Sequence, residues 1–184
     1  MRRFAIILIA FLPSASIAKA QSPNDGHIEG SAYVNSYFHV SYSWAKILQP
    51  YDTTSLHVPA RSPYDNEFLL FASRQGDLPY GVVLLAEKLN VQTPHSRGIR
   101  DAADMMDRIM RFNPEQHVVI ISKKHFSGPS GLVFDELDYT ENGGYSAAMI
   151  TPVGNFLLSF KCNAQSASDL AVMTDSIAAL QKTQ

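Results

Sequence analysis

From Tyr37 to Trp44 apolar and polar side chains alternate, with Phe38, Val40, Tyr42 and Trp44 on one parity and Tyr37, His39, Ser41 and Ser43 on the other. A period of two predicts a half-buried strand whose first set meets the core and whose second meets water. Asn35-Ser36 is expected to turn the chain just before it. Residues 49–66 carry Pro50, Pro59 and Pro63 and hold no period, so they predict an irregular connection with a short strand at Leu56 to Val58. "EFLLFASR" and "YGVVLLAEKL" follow as two strands joined through "QGDLPY". Their centres are apolar at nearly every position, the pattern of strands covered on both faces, and that places helices on both sides of the sheet.

The period then changes. In "GIRDAADMMDRIMRF", Ile99, Ala102, Ala103, Met106, Ile109 and Met110 fall on one helical stripe, and Pro114 ends the helix. Four strands come next, "HVVIISKKHF", "GLVFDELDYT", "YSAAMIT" and "NFLLSFKCN". Short connections join them, and Asn142-Gly143 suits a type I′ hairpin, whose two central residues need positive φ. Three successive short links predict an antiparallel meander. A last helix opens at Ser166 with Asp169 three residues on, a shortened capping box, and Leu170, Met173, Ile177 and Leu180 form its apolar stripe. The fold class is α+β: an antiparallel β-sheet flanked by helices on both faces.

The chain begins "MRRFAIILIAFLPSASIAKAQ". Arg2 and Arg3, an apolar run from Phe4 to Leu12 and Ala18-Lys19-Ala20 have the layout of a secretory signal peptide. The expected organisation is therefore a signal peptide over residues 1–20, a flexible leader over 21–30 and one domain over 31–184. It also implies a periplasmic or secreted protein with no stable membrane anchor after cleavage. Residues 1–20 hold three of the fifteen Lys and Arg and none of the seventeen acids, which leaves a net charge of −5 with neutral histidines. An acidic chain without a basic run excludes nucleic acid as a partner. The single cysteine, Cys162, shares parity with Leu158 and Phe160 and is expected to be a buried, inert thiol.

Several stretches together resemble the PsbP-like α/β/α sandwich family. They are Tyr33 and Asn35 followed by "YFHVSYSWAKIL", then "VFDELDYT", then "NFLLSFKCNAQSASDL" running into the last helix. The chain differs from the family pattern at His39, where glycine is usual, at Ala45, where proline is usual, and at Leu48, near an expected tryptophan. Some family members assist photosynthetic oxygen evolution and one branch binds a small GTPase during nuclear import. The resemblance implies a non-enzymatic scaffold and carries over no metal-binding or partner-binding residue.

Motifs for chemistry are sparse. "SWAK", Ser43 to Lys46, meets an S-x-x-K pattern, but its serine ends a strand and the companion elements are absent. "SGPSG" around Ser130 has the wrong spacing for a nucleophile elbow and reads as a tight turn. The six histidines, His27, His39, His57, His95, His117 and His125, show no H-x-x-x-H pair, and His27 with Glu29 falls in the leader. No catalytic residue, metal ligand or cofactor is expected. The strongest acidic candidate is Glu136 with Asp138, which share one face of a strand, and Lys123 and Lys124 stand ready to neutralise them across the sheet. Tyr33, Asn35, Tyr37 and His39 form a candidate recognition patch on the water-facing parity.

The expected function is an exported, non-catalytic binding or accessory protein, its partner an unidentified protein or small molecule. Two alternatives stand beside it: a hydrolase using Glu136 and Asp138, and a small-molecule or lipid carrier with a pocket between sheet and helix.

Overall fold

A computed structural model describes residues 22–52, 67–91, 98–111 and 118–183, without the side chains of Ile109 and Met110. The expected signal peptide, the strand expected at Leu56 to Val58, His57, His95 and His117 lie outside the described residues. In chain order the elements are β1 His27–Glu29, β2 Ala32–Asn35, β3 Val40–Ser43, β4 Gln49–Pro50, β5 Glu67–Arg74, β6 Gly81–Lys88, α1 Ala102–Arg111, β7 Val119–Ser127, β8 Val133–Glu141, β9 Gly144–Val153, β10 Phe156–Ala164, α2 Ala167–Ala178 and β11 Gln181–Lys182.

The long antiparallel sheet forms where the pattern places it. Its order is β4-β5-β6-β10-β9-β8-β7, with the meander β7 to β10 intact and β6 paired to β10. Asn142 and Gly143 take φ of 51° and 82° in the β8–β9 turn, as the hairpin signal requires. Ser166 caps α2 by accepting a hydrogen bond from the Asp169 amide at 3.1 Å.

The rest of the layering differs from the expectation of one sheet with helices on both faces. There are two sheets, the second a small one of order β1-β2-β3-β11. One face of the long sheet, set by Phe71, Leu84, Met149, Leu158, Phe160 and Cys162, is covered by α2 together with this small sheet. Tyr33, Val40 and Tyr42 come down from the small sheet, and Leu170, Met173 and Ile177 from α2. On the second face, Ile99 and Met105 pack against Ile150 and Leu157, with Ala102 and Met106 beside them. Along β6, burial alternates, with Val82, Leu84 and Ala86 buried and Val83 and Leu85 half-buried. The apolar run in β6 therefore reflects one sealed face and one partly open face, where two sealed faces were expected.

Two short stretches also depart from their patterns. Residues 27–29 of the expected leader are a strand, because Gly30 at φ 59° turns the chain and brings Glu29 opposite Ala32. The strand expected from Tyr37 begins only at Val40. The cause is Asn35, whose Oδ1 accepts hydrogen bonds from the amides of Tyr37 (3.0 Å) and Phe38 (3.2 Å) and so closes an Asx turn. His39 leaves that turn at φ 52°, after which Val40 pairs back onto Asn35.

Candidate functional site

The turn at Asn35 dismantles the four-residue recognition patch. Tyr33 and Asn35 are 3% and 0% exposed, because the turn reverses the chain and points both inward. The Asn35 amide donates to the Pro23 carbonyl and to the Tyr33 hydroxyl, both at 2.9 Å, so its polar atoms serve the fold. Burial raises the Tyr33 phenol above its ordinary value, with the Asn35 hydrogen bond acting the other way. Tyr37 is half-buried, edge-on to Phe38 at 4.9 Å and Phe156 at 5.8 Å, which leaves His39 as the one exposed member of the four.

Glu136 and Asp138 do share a face, and it is the covered one. Glu136 lies opposite Met149 and Asp138 opposite Ala147, both core residues. Lys124 on β7 donates to Glu136 at 2.6 Å and to Asp138 at 2.9 Å, and the Ser122 hydroxyl donates to Asp138 at 2.7 Å. Burial raises Glu136 above the usual carboxylate range, and Lys124 offsets this only in part. Burial pushes Asp138 up as well, but hydrogen bonds from Ser122, Lys124 and Glu136 together outweigh it and hold that carboxyl low. Two carboxyls driven apart in this way resemble an acid and base pair. Substrate, however, would have to reach Glu136 at 4% exposure. Lys123 leaves by the other face, where His125 Nδ1 meets Asp135 at 2.8 Å.

Cys162 is 1% exposed, and burial, with Glu136 and Asp138 nearby, pushes its thiol far above the ordinary value. A thiol held protonated is a poor nucleophile. Ser43 ends β3 and Ala45 is buried beyond it, while Ser130 sits in the β7–β8 turn. Among the described residues no three His, Cys, Asp or Glu side chains converge as a metal site, and no helix is long and apolar enough to cross a membrane.

The pattern did not single out the second face of the long sheet, yet two clefts open there. The first, about 240 Å³, lies between α1 and the sheet and is lined by Glu67, Leu85, Glu87, Met105, Arg108, Ser159 and Lys161. Arg108 on α1 donates to both carboxylate oxygens of Glu87, at 3.0 and 3.3 Å. Burial raises Glu87, Arg108 lowers it, and Glu67, directly opposite on β5, raises it again. The second cleft, about 320 Å³, includes Tyr51, Arg74, Tyr80, Val83 and Asn163, and the Arg74 guanidinium stacks 4.6 Å over the Tyr51 ring. Val83 and Lys161 are cross-strand partners, so the clefts follow one another along β6 and β10. A signal for this face did exist: Val83, Leu85 and Glu87 share one parity, as do Ser159 and Lys161, and each set ends in a charge.

No protein-family model and no functionally curated protein matches the sequence. Among solved structures the chain is similar to the solution structure of cyanobacterial PsbP (CyanoP) from Synechocystis sp. PCC 6803. That match has a TM-score of 0.58 at 10% identity and covers 85% of this chain and 96% of that one. Two antiparallel sheets, a meander closed by the last long helix and this match over most of both chains identify the fold as PsbP-like.

Proposed function

We propose that this chain is an exported, non-catalytic binding or accessory domain that takes its ligand or partner on the second face of the long sheet. One observation carries the reading: two successive clefts follow β6 and β10 on the face where α1 packs against Ile150 and Leu157. Concave, mixed apolar and polar surfaces built on rigid strands are ordinary binding sites. The groups suited to chemistry are engaged elsewhere, with Glu136 and Asp138 held by Lys124, and Cys162 in the core. Export rests on the basic, apolar and A-x-A layout of residues 1–20. Native mass spectrometry and a pull-down from the exported fraction of its own host test the reading. Bound mass or a captured partner that is lost when Val83 and Leu85 are both changed to Lys is the expected result. A clean apo mass with no partner would remove it.

A hydrolase using Glu136 and Asp138 is the second reading, favoured by the two carboxyls meeting at the Lys124 ammonium, 2.6 and 2.9 Å away. It requires that changing both to Ala abolish turnover across an ester, peptide and glycoside panel while the chain stays folded.

A further inference from the structure

The cleft under α1 holds two charges that act on Glu87 from a distance but have no hydrogen-bonded partner among the described residues. Glu87 and Arg108 neutralise one another in its wall. Glu67 and Lys161 also line it, both exposed, and neither makes an ion pair or hydrogen bond among the described residues. At its floor, Ser159 is 1% exposed and its hydroxyl has no hydrogen-bond partner. An unpaired buried hydroxyl is unfavourable, and buried polar groups in native proteins are nearly always satisfied. Rotation of the Ser159 side chain toward the cleft would let a ligand there supply the missing partner.

The arrangement specifies that ligand's chemistry. One free carboxylate and one free ammonium stand at the two ends. Glu67 lies opposite Glu87 and Lys161 opposite Val83, four residues apart on β6. That is roughly 13 Å along the strands and, because β5 and β10 flank β6, two strand spacings or about 10 Å across them. The backbones therefore stand about 16 Å apart, a span that the Glu67 and Lys161 side chains shorten to several ångströms only when both reach over the cleft toward each other. Leu85 and Met105 give an apolar wall between them. At about 240 Å³ the cleft is small, below the roughly 300–1,000 Å³ of pockets for drug-sized ligands.

Building on the binding-domain reading, we propose that this cleft binds a small zwitterion of dipeptide size. Its ammonium meets Glu67, its carboxylate meets Lys161, its peptide group bonds the Ser159 hydroxyl, and one apolar side chain rests on Leu85 and Met105. A free amino acid is too short to reach both charges, whereas two residues span about 7 Å.

Calorimetric titration of the protein with Ala-Leu, N-acetyl-Ala-Leu, Ala-Leu-amide and free leucine tests this. Ala-Leu should bind, and either blocked form or free leucine should bind about tenfold more weakly or worse. Glu67→Gln and Lys161→Met, both at exposed positions, should each lower Ala-Leu affinity by about tenfold with the melting temperature unchanged. Ser159→Ala should fold at least as well as the parent and still bind several-fold more weakly, a combination that a purely structural serine would not give. No heat with Ala-Leu, equal binding of the blocked forms, or three folded variants with parental affinity would each overturn the proposal. If a host-derived bound mass survives Lys161→Met, this site falls and the binding-domain reading stands; if neither bound mass nor partner is found, both fall.

Discussion

His39 sits at φ 52°, a backbone region that costs a side chain about 1–2 kcal/mol. Such a conformation suits glycine, and the structure shows why it arises here: the chain must leave the Asn35 turn left-handed. His39→Gly is expected to stabilise by about 0.5–1 kcal/mol after glycine's own entropy cost, read as a higher urea midpoint at unchanged m-value. Lys124 makes the opposite case. Half exposed at 51%, it holds two carboxylates of which Glu136 is only 5% exposed. Lys124→Met should cost roughly 1–3 kcal/mol at neutral pH, less than the ~3–5 of a fully buried pair. The sign with pH follows from Glu136, whose folded pKa lies above its unfolded value. The native state therefore holds a proton the unfolded chain has released, and stability falls as pH rises through that window. Removing Lys124 extends the window upward and weakens the hold on Asp138, so urea unfolding should show a wider gap from the parent at about pH 8 than at about pH 5. Alternation placed Phe38, Val40 and Tyr42 in the core correctly. It misplaced Tyr33 and Asn35 because parity holds only while a strand runs on, and a side chain that hydrogen-bonds two amides ends the strand.

Among the elements, length decided what could be read. β5 to β10 are eight to ten residues long, enough for their patterns to be plain, and each was found within two residues of its ends. Strands of two to four residues, such as β1, β4 and β11, are too short for a repeating pattern to mark them. The first helix begins at Ala102 and not at Gly98, because Asp101 accepts from the Asp104 amide at 2.9 Å and serves as its cap. Turn chemistry was legible where glycine is required. An added Cβ at Gly143 would meet nothing within 4 Å, so the cost of Gly143→Ala is conformational alone. It should be about 1–2 kcal/mol, with the β8–β9 register kept in amide spectra. Ser166→Ala should lose about 1 kcal/mol with the cap of α2, measured in the same way.

Across the molecule, the two sheets meet through aromatic rings. Phe71 on the long sheet lies 5.3 Å from Tyr33, 5.8 Å from Tyr42 and 5.4 Å from Trp44, centroid to centroid. Phe71→Ala should cost about 3–5 kcal/mol. Trp44 is the lone tryptophan, so its fluorescence reports on this junction. Fluorescence and far-UV dichroism should give the same midpoint in the parent if the sheets unfold together, and separate midpoints would show that they do not. The second face was harder to read. Apolar runs in β5 and β6 look alike whether one face or both are sealed, and among the described residues the helix that touches the second face brings Met105, with Ala102 and Met106 beside it.

The small sheet draws its strands from distant parts of the polypeptide. β1, β2 and β3 precede every strand of the long sheet, whereas β11 follows α2, pairing Gln181 with Ser41, and the Thr183 amide donates to the His39 carbonyl at 2.9 Å. Contacts so remote in sequence form late, since the loop between them must close before they yield anything. During synthesis, N-terminus first, β3 must wait with an unpaired edge until residues 181–183 emerge. For that interval it is open to pairing with other chains, and to the factors that guard nascent polypeptides.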